Sequence, residues 1–395
     1  MDLPTLQRRK FLSMGVSGMA AFAIGGLPKY KIAQAAEPAT VPFFSLNAIG
    51  ALQAPDENGV MLPPGFRSRI VASSGEPPVS NSAYSWHSAP DGGACYASDD
   101  GGWIYVSNSE MRNNGGGVGA LRFDANGVVI DAYSILGNTS INCAGGATPW
   151  QTWLSCEEFS VGQVYECDPF GVEPAIVRPA LGSFIHEAVA VDTLNGCLYL
   201  TEDAPDGGLY RFRPQRNLPD LTAGVLEIAA ITETNSGLYV SWHVVPDPSA
   251  KTDPTRHQVA QSYSFRGAEG IAIFDNKAYF STKRDNRVWS YDVQSNQIEV
   301  IYDVATSSNP ILSGVDNITI TPAGDVLVAE DGGNLQIVVL TPDDRVIPLL
   351  QLVGHDESEI TGPAFDPSHQ RLYFSSQRGT SGASAGGISF EISSA

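Results

Sequence analysis

Beyond its first 36 residues the chain runs in short apolar segments of four to six residues, rich in Val, Ile, Leu, Tyr and Phe, each bounded by Gly, Asp, Asn or Pro. Segments of that length between turn residues predict β-strands, and no long amphipathic stretch of helix-forming residues competes with them. The segments repeat. Trp103-Ile104-Tyr105-Val106-Ser107-Asn108, Trp153-Leu154-Ser155-Cys156-Glu157, Leu198-Tyr199-Leu200-Thr201-Glu202, Ala278-Tyr279-Phe280-Ser281-Thr282, Val326-Leu327-Val328-Ala329-Glu330 and Leu372-Tyr373-Phe374-Ser375-Ser376 are six versions of one strand, apolar at its start and polar at its end. Six copies predict an all-β, six-bladed β-propeller, since a lone blade cannot bury both faces of its sheet and radial packing covers them. A two-sheet sandwich would explain the strands but not their recurrence.

Five units also show a preceding strand, starting at Cys143, His186-Glu187, Glu269-Gly270, Asp316-Asn317 and Thr361-Gly362-Pro363. From Cys143, Glu187, Asp316 and Gly362 to the polar end of the following strand the step is 14 or 15 residues, enough for two short antiparallel strands and a tight turn. A hairpin lays the start of its first strand beside the end of its second. With the first strand innermost, Cys143, Glu187, Glu269 and Asp316 face a common axis at one mouth of the channel, with Glu157, Glu202 and Glu330 just behind them.

Composition sharpens this picture. The 395 residues are 43% apolar and 17% charged, and the formal charge is −20, which argues against nucleic-acid binding and favours cationic partners. Residues 1–36 are set apart. Arg8-Arg9-Lys10 precede a small-residue apolar stretch from Met14 to Leu27 and an Ala33-Gln34-Ala35 cleavage pattern, a twin-arginine-type export signal. The stretch is shorter than the roughly 20 residues of a membrane span, so no stable membrane anchor is expected. The expected product is one propeller domain, residues 37–395, carried by the twin-arginine machinery to the periplasm or beyond. Losing the leader removes five cationic residues and one acidic residue, so the remaining domain is more acidic still.

Carboxylates converging on one axis cannot all stay ionised unless cations hold them. Many oxygen ligands suit Ca²⁺, whereas a thiolate at Cys143 points to a transition metal such as iron in the same site. The alternatives are solvated turn carboxylates and, for Cys143, an inert thiol or half a disulfide. The five cysteines, Cys95, Cys143, Cys156, Cys167 and Cys197, are odd in number, so at least one is unpaired within the chain. Gly382-Ala383-Ser384-Ala385-Gly386 has the spacing of a nucleophile elbow but no helical segment after it.

The run from Asn142 to Glu158, Asn-Cys-Ala-Gly-Gly-Ala-Thr-Pro-Trp-Gln-Thr-Trp-Leu-Ser-Cys-Glu-Glu, resembles the signature of the PhoX-type alkaline phosphatase family. Phe184-Ile185-His186-Glu187-Ala188, Tyr199 to Asp203, Arg266 to Gly270, and Asp316 to Thr319 followed by Glu330-Asp331-Gly332 are similar to later blocks of the same family, in the same order. The resemblance implies a twin-arginine-exported, six-bladed propeller that hydrolyses phosphate esters with ferric iron and calcium ions bridged by an oxo group. It implies Cys143 as an iron ligand, Glu187 and Glu269 as ligands to iron or calcium, and Glu110, Glu157, Glu202 and Glu330 as further ligands. Metals that neutralise the charge of phosphoryl transfer and activate an oxygen nucleophile remove the need for a Ser or Cys nucleophile. Arg266 is a candidate phosphate clamp and Lys283 a second cation, the alternative for both being salt bridges inside the acidic ring. Two other readings remain: a non-enzymatic, calcium-stabilised propeller binding a ligand or surface partner, and a lactonase-like calcium propeller.

Overall fold

A computed structural model describes residues 42–80 and 82–395; the expected export signal lies outside them. Among the described residues there is no α-helix, only strands and four single-turn 3₁₀ segments. No helix among them is long and apolar enough to cross a membrane. The predicted repeat emerges as consecutive antiparallel meanders. Pro90–Ala97, Trp103–Ser109, Gly116–Phe123 and Val129–Thr139 form one four-stranded sheet, and Asn142–Ala147, Trp153–Glu157, Val164–Cys167 and Ile176–Val177 form the next.

The expectation of six separate sheets holds only in part, because hydrogen bonding divides the fold into five. Strands His186–Asp192, Cys197–Glu202, Leu209–Pro214 and Gly224–Thr234 make a meander, and Ala268–Phe274, Lys277–Thr282, Arg287–Asp292 and Gln297–Asp303 make another. The strand Gly237–Val244 joins them. It pairs with Gly224–Thr234 along its length and, through Leu238 and Tyr239, with Ile298 and Gln297, which fuses both meanders into one nine-stranded sheet. The two end strands of that sheet, His186–Asp192 and Ala268–Phe274, lie against each other, so it nearly closes on itself.

The fifth meander, Val315–Ile320 through Val346–Leu352, gains Val60–Met61 as an outer strand. In the last sheet, Ile360–Phe365, Arg371–Ser376 and Ile388–Ser394 are completed by Phe66–Ser73 from the other end of the chain. Pairing the first long strand with the last leaves no open join for another chain to extend.

Strands Pro90–Ala97, Asn142–Ala147, His186–Asp192, Ala268–Phe274, Val315–Ile320 and Ile360–Phe365 each contact the next, and the last contacts the first. The fold is therefore all-β and propeller-like, with these strands around its axis. Apolar side chains fill the wedges between sheets, as where Leu327, Ile337 and Val339 meet Leu372, Phe374 and Phe390. The axial strands enclose a cavity of about 370 Å³, lined by residues such as Ala94, Val189, Ile271, Ile318 and Phe365.

Candidate metal centre

Every axial strand carries the same irregularity near its start. In each hairpin three steps along the axial strand match two along its partner: Asn142 faces Glu157 and Gly145 faces Ser155, and the ladder shifts likewise after Pro90, His186, Ala268, Val315 and Thr361. One extra residue inserted into a strand bends it and re-aims a side chain. The first residues of these bulges are Asp91, Cys143, Glu187, Glu269, Asp316 and Gly362. Five carry a group that can bind a cation, and all five are buried.

A second set comes from the residue just past the polar end of each second strand: Glu110, Glu158, Asp203, Lys283, Asp331 and Gln377. Three groups have ligand atoms within 4.8 Å of one another: Cys143 and Glu187 of the first set with Glu158 of the second; Glu187, Glu269 and Asp316, all of the first set; and Asp91 with Glu110 and with Glu359, which belongs to neither. Gln377 Nε2 donates to Asp91 at 2.6 Å and to Glu110 at 2.7 Å, holding the third group in place. Lys283 Nζ lies 3.2 Å from Glu269 and 3.0 Å from Asp331, and Arg378 pairs with Glu359 at 2.7 Å.

The structure thus brings together Cys143, Glu110, Glu187, Glu269, Asp316 and Lys283 of the residues singled out from sequence. Three expected ligands are placed elsewhere. Glu157 accepts from the amides of Ser140 at 3.0 Å and Gln163 at 3.2 Å, and Glu330 from those of Ser313 at 2.8 Å and Gln336 at 2.9 Å. Glu202 accepts from the Gly208 amide at 3.0 Å and the Tyr210 hydroxyl at 2.7 Å, and pairs with Arg256 at 2.7 Å. Successive residues of a strand point to opposite faces, so Glu157, Glu202 and Glu330 clamp loops inside the sheets while Glu158, Asp203 and Asp331 carry the acidic function one position later. Arg266 is exposed, two residues before Ala268–Phe274, and forms no ion pair with any described residue. Sequence reasoning missed Asp91, Glu158 and Glu359; the first two become visible once the bulge and the next position are read as the repeating unit.

Electrostatics fit a cation site. Burial, then the charges of neighbouring carboxylates, push Glu187 well above the ordinary carboxylate range, and Asp91 and Glu359 likewise. Burial and the nearness of Glu110 and Asp203 push Glu158 up to about 9. Burial lifts Glu269 as well, against the pull of Lys283, and raises Asp316 to about 7. The Cys143 thiol, 3.5 Å from Glu187 Oε1, is raised by burial and by Asp91 and Glu187. On Lys283 burial acts downward, but Glu269, Asp316 and Asp331 outweigh it and hold the ammonium charged.

Glu187 Oε2 and Asp203 Oδ1 are buried without a hydrogen-bond partner among the described residues, a costly arrangement that a bound cation would relieve. The donor set agrees. Carboxylate oxygens suit hard cations, and one thiolate beside them suits a softer transition metal. All five cysteines are free thiols, so Cys143 is not consumed in a disulfide.

Residues 105–168 and 159–278 match the family described as alkaline phosphatase PhoX. The fold is similar to that of PhoX from Pseudomonas fluorescens in complex with vanadate, a transition state analogue, at 15% identity and a TM-score of 0.73, over 88% of this chain and 98% of that one. It is also similar to a protein of unknown function from Bacteroides thetaiotaomicron, at 10% identity and a TM-score of 0.51, over 83% of this chain and 76% of that one. No curated protein matches the sequence.

Proposed function

We propose that this chain, which belongs to the alkaline phosphatase PhoX family, hydrolyses phosphate esters at the mouth built by its axial bulges. The observation that carries the reading is the repetition: one bulge in each axial strand, five of them aiming a buried carboxylate or thiol at the same mouth. We take the ring of axial strands, each heading a meander, as six blades, two of them bridged by the strand Gly237–Val244.

Cys143, Glu158 and Glu187 would hold Fe³⁺; the carboxylates of Glu187, Glu269 and Asp316, and those of Asp91, Glu110 and Glu359, would hold Ca²⁺ and further iron. Bound there, such ions neutralise charge on the phosphoryl oxygens and supply an activated oxygen nucleophile. Lys283, tethered by Glu269 and Asp331, keeps a positive charge at the rim of the site, where it can meet a phosphate oxygen. Arg266, exposed beside the same strand start, is free to swing onto the ester as a second cationic contact. Gln377 fixes Asp91 against Glu110, so the third group is preorganised before any ligand arrives.

The remaining expectations form part of the same reading: residues 1–36 as a twin-arginine signal, residues 37–395 as the exported domain, and a periplasmic or secreted location. An intracellularly loaded metal site gives a physical reason for exporting the chain already folded. Elemental analysis of the purified protein, with p-nitrophenyl phosphate turnover, tests the proposal. Iron together with calcium, a visible thiolate-to-iron absorption band lost in Cys143→Ser, and turnover are expected. Calcium alone with no turnover would replace the enzyme by a calcium-stabilised binding propeller.

A further inference from the structure

A second cluster of charge lies far from the carboxylates. Strand Arg371–Ser376 ends next to Gln377, which holds Asp91 and Glu110, and begins at Arg371, five residues or roughly 17 Å back along the strand. At that far end Arg67, Arg69 and Arg371 line a cleft of about 350 Å³ together with Ser68, Asn126, Glu391 and Ser393. Three guanidiniums against one carboxylate give a local positive excess in a chain whose formal charge is −20.

The ladder explains how they are arranged. Ser393 is paired with Arg67 on one side and with Arg371 on the other, while Glu391 is paired with Arg69 and Tyr373. The short Ser393 side chain therefore leaves a gap between two long cationic neighbours. Glu391 is already engaged, accepting from Arg69 at 2.6 Å and from the Tyr373 hydroxyl at 2.7 Å, with Arg371 Nε 3.5 Å from its other oxygen. The other nearby acids are engaged as well: Asp56 accepts from Ser68 Oγ at 2.5 Å, Asp124 from the amides of Asn126 at 2.9 Å and Val128 at 2.8 Å, and Asp366 from the Arg371 amide at 2.5 Å. Among the described residues Arg371 Nε is buried without a hydrogen bond while its Nη2 donates to the Asn126 carbonyl at 3.4 Å, and Arg67 Nε reaches only the Ser393 hydroxyl at 3.3 Å.

Arg371 is also held in position. Its guanidinium stacks 4.9 Å over the Trp103 ring, and it packs so closely on Gly127 that a Cβ there would come within 2.9 Å of Nη2. A fixed planar guanidinium loses little freedom when it takes an oxyanion.

We propose that this cleft is a second anion site that takes a phosphate group, clamped between Arg67 and Arg371 with the Ser393 hydroxyl donating to it. The site is separate from the carboxylate ring and does not depend on the phosphatase reading. Phosphate and a mobile ester phosphate share the chemistry that would be recognised.

Equilibrium dialysis of radiolabelled inorganic phosphate against the full chain, at constant ionic strength, tests it. Arg67→Ser removes one clamp, and Ser393→Asp places a carboxylate in the gap. Each is expected to weaken one equivalent of bound phosphate at least tenfold, with melting temperature and p-nitrophenyl phosphate turnover unchanged. Displacement of that equivalent by dimethyl phosphate identifies a site that accepts esters; displacement by the inorganic ion alone identifies one for free phosphate. Wild-type phosphate stoichiometry and affinity in both variants would overturn the proposal, whether or not the chain proves to be a phosphatase.

Discussion

Stripping cations from this chain should make its stability fall as pH rises through the neutral range, and restoring them should flatten the curve. Without a cation, Asp316 is raised from 3.8 to about 7, by burial first and by Asp331, Asp203 and Glu110 after it, against the pull of Lys283. An unfolded chain ionises such a group near its ordinary value, while the folded chain keeps the proton until its own higher value is reached. Between the two, the native state binds more protons, so stability is complete below about pH 4 and declines until about pH 7 for this residue. The rise is equivalent to about 4 kcal/mol. With an unfolding entropy of about 2 cal/mol/K per residue over roughly 350 residues, that amounts to about 6 °C in melting temperature. Glu158, raised to about 9, extends the decline into the alkaline range, and the cluster titrates as a whole rather than residue by residue. Melting curves at pH 5, 6, 7 and 8, in chelator and again with calcium and iron, provide the measurement. A chelated protein whose melting temperature stays level or rises over that range would refute the electrostatic argument for the site.

The offset between adjacent glutamates gives a paired test. Glu158→Gln should lower metal content and turnover ten- to a hundredfold while leaving the metal-free melting temperature unchanged or higher, whereas Glu157→Ala, by stranding the Ser140 and Gln163 amides, should cost about 2–3 kcal/mol and leave turnover per folded molecule intact. Arg256→Ala should cost about 3–5 kcal/mol in denaturant unfolding, since it strips the fully buried Glu202 of its 2.7 Å partner. Gly270→Ala should lower both stability and metal affinity, because a Cβ there would sit 2.5 Å from the Ile318 amide nitrogen and push the Glu269 strand away from that of Asp316; Gly137→Ala, with open space around it, is the control that should leave calorimetry and metal titration unchanged.

The strands were legible because each needs only a short apolar run and a turn, and Trp103–Ser109, Cys197–Glu202 and Val326–Glu330 lie where the repeat puts them. The alignment of Lys283 with Asp203 and Asp331 was legible for the same reason. A bulge is not, since it adds one residue without changing the hydrophobic pattern, and that residue decides which side chain meets the axis. Glu157, Glu202 and Glu330 end the unbulged partner strands and accept from loop amides, and the residue after each of them, where the hydrophobic pattern has already stopped, is the one that joins the second set. Asp91 was hidden differently: 19 residues separate it from Glu110, against 14 to 16 between the corresponding residues of the other units, because its two strands are longer, eight and seven residues, while its turn is no longer than those after Ala147, Ile320 and Phe365. Glu359 lies just before an axial strand and has no counterpart in the repeat. The join through Leu238 and Tyr239 depends on contacts some sixty residues apart, which no local pattern reports.

The bulges that aim the carboxylates also constrain the next position along each strand. That position is Gly92, Ala144, Ala188, Gly270, Asn317 or Pro363, and all six line a neck of only about 40 Å³. Six backbones converge there. A Cβ on Gly92 would lie 2.5 Å from Ala144 Cα, and one on Gly146, farther along its strand, 1.8 Å from the Val189 carbonyl oxygen. Such closeness lets ligand atoms from neighbouring strands come within 4.8 Å, and it leaves little passage beneath them toward the larger cavity. Compact residues at the neck and charged residues above it are thus two consequences of one geometric arrangement: strands that approach closely enough to bring their acidic side chains within reach of a single cation.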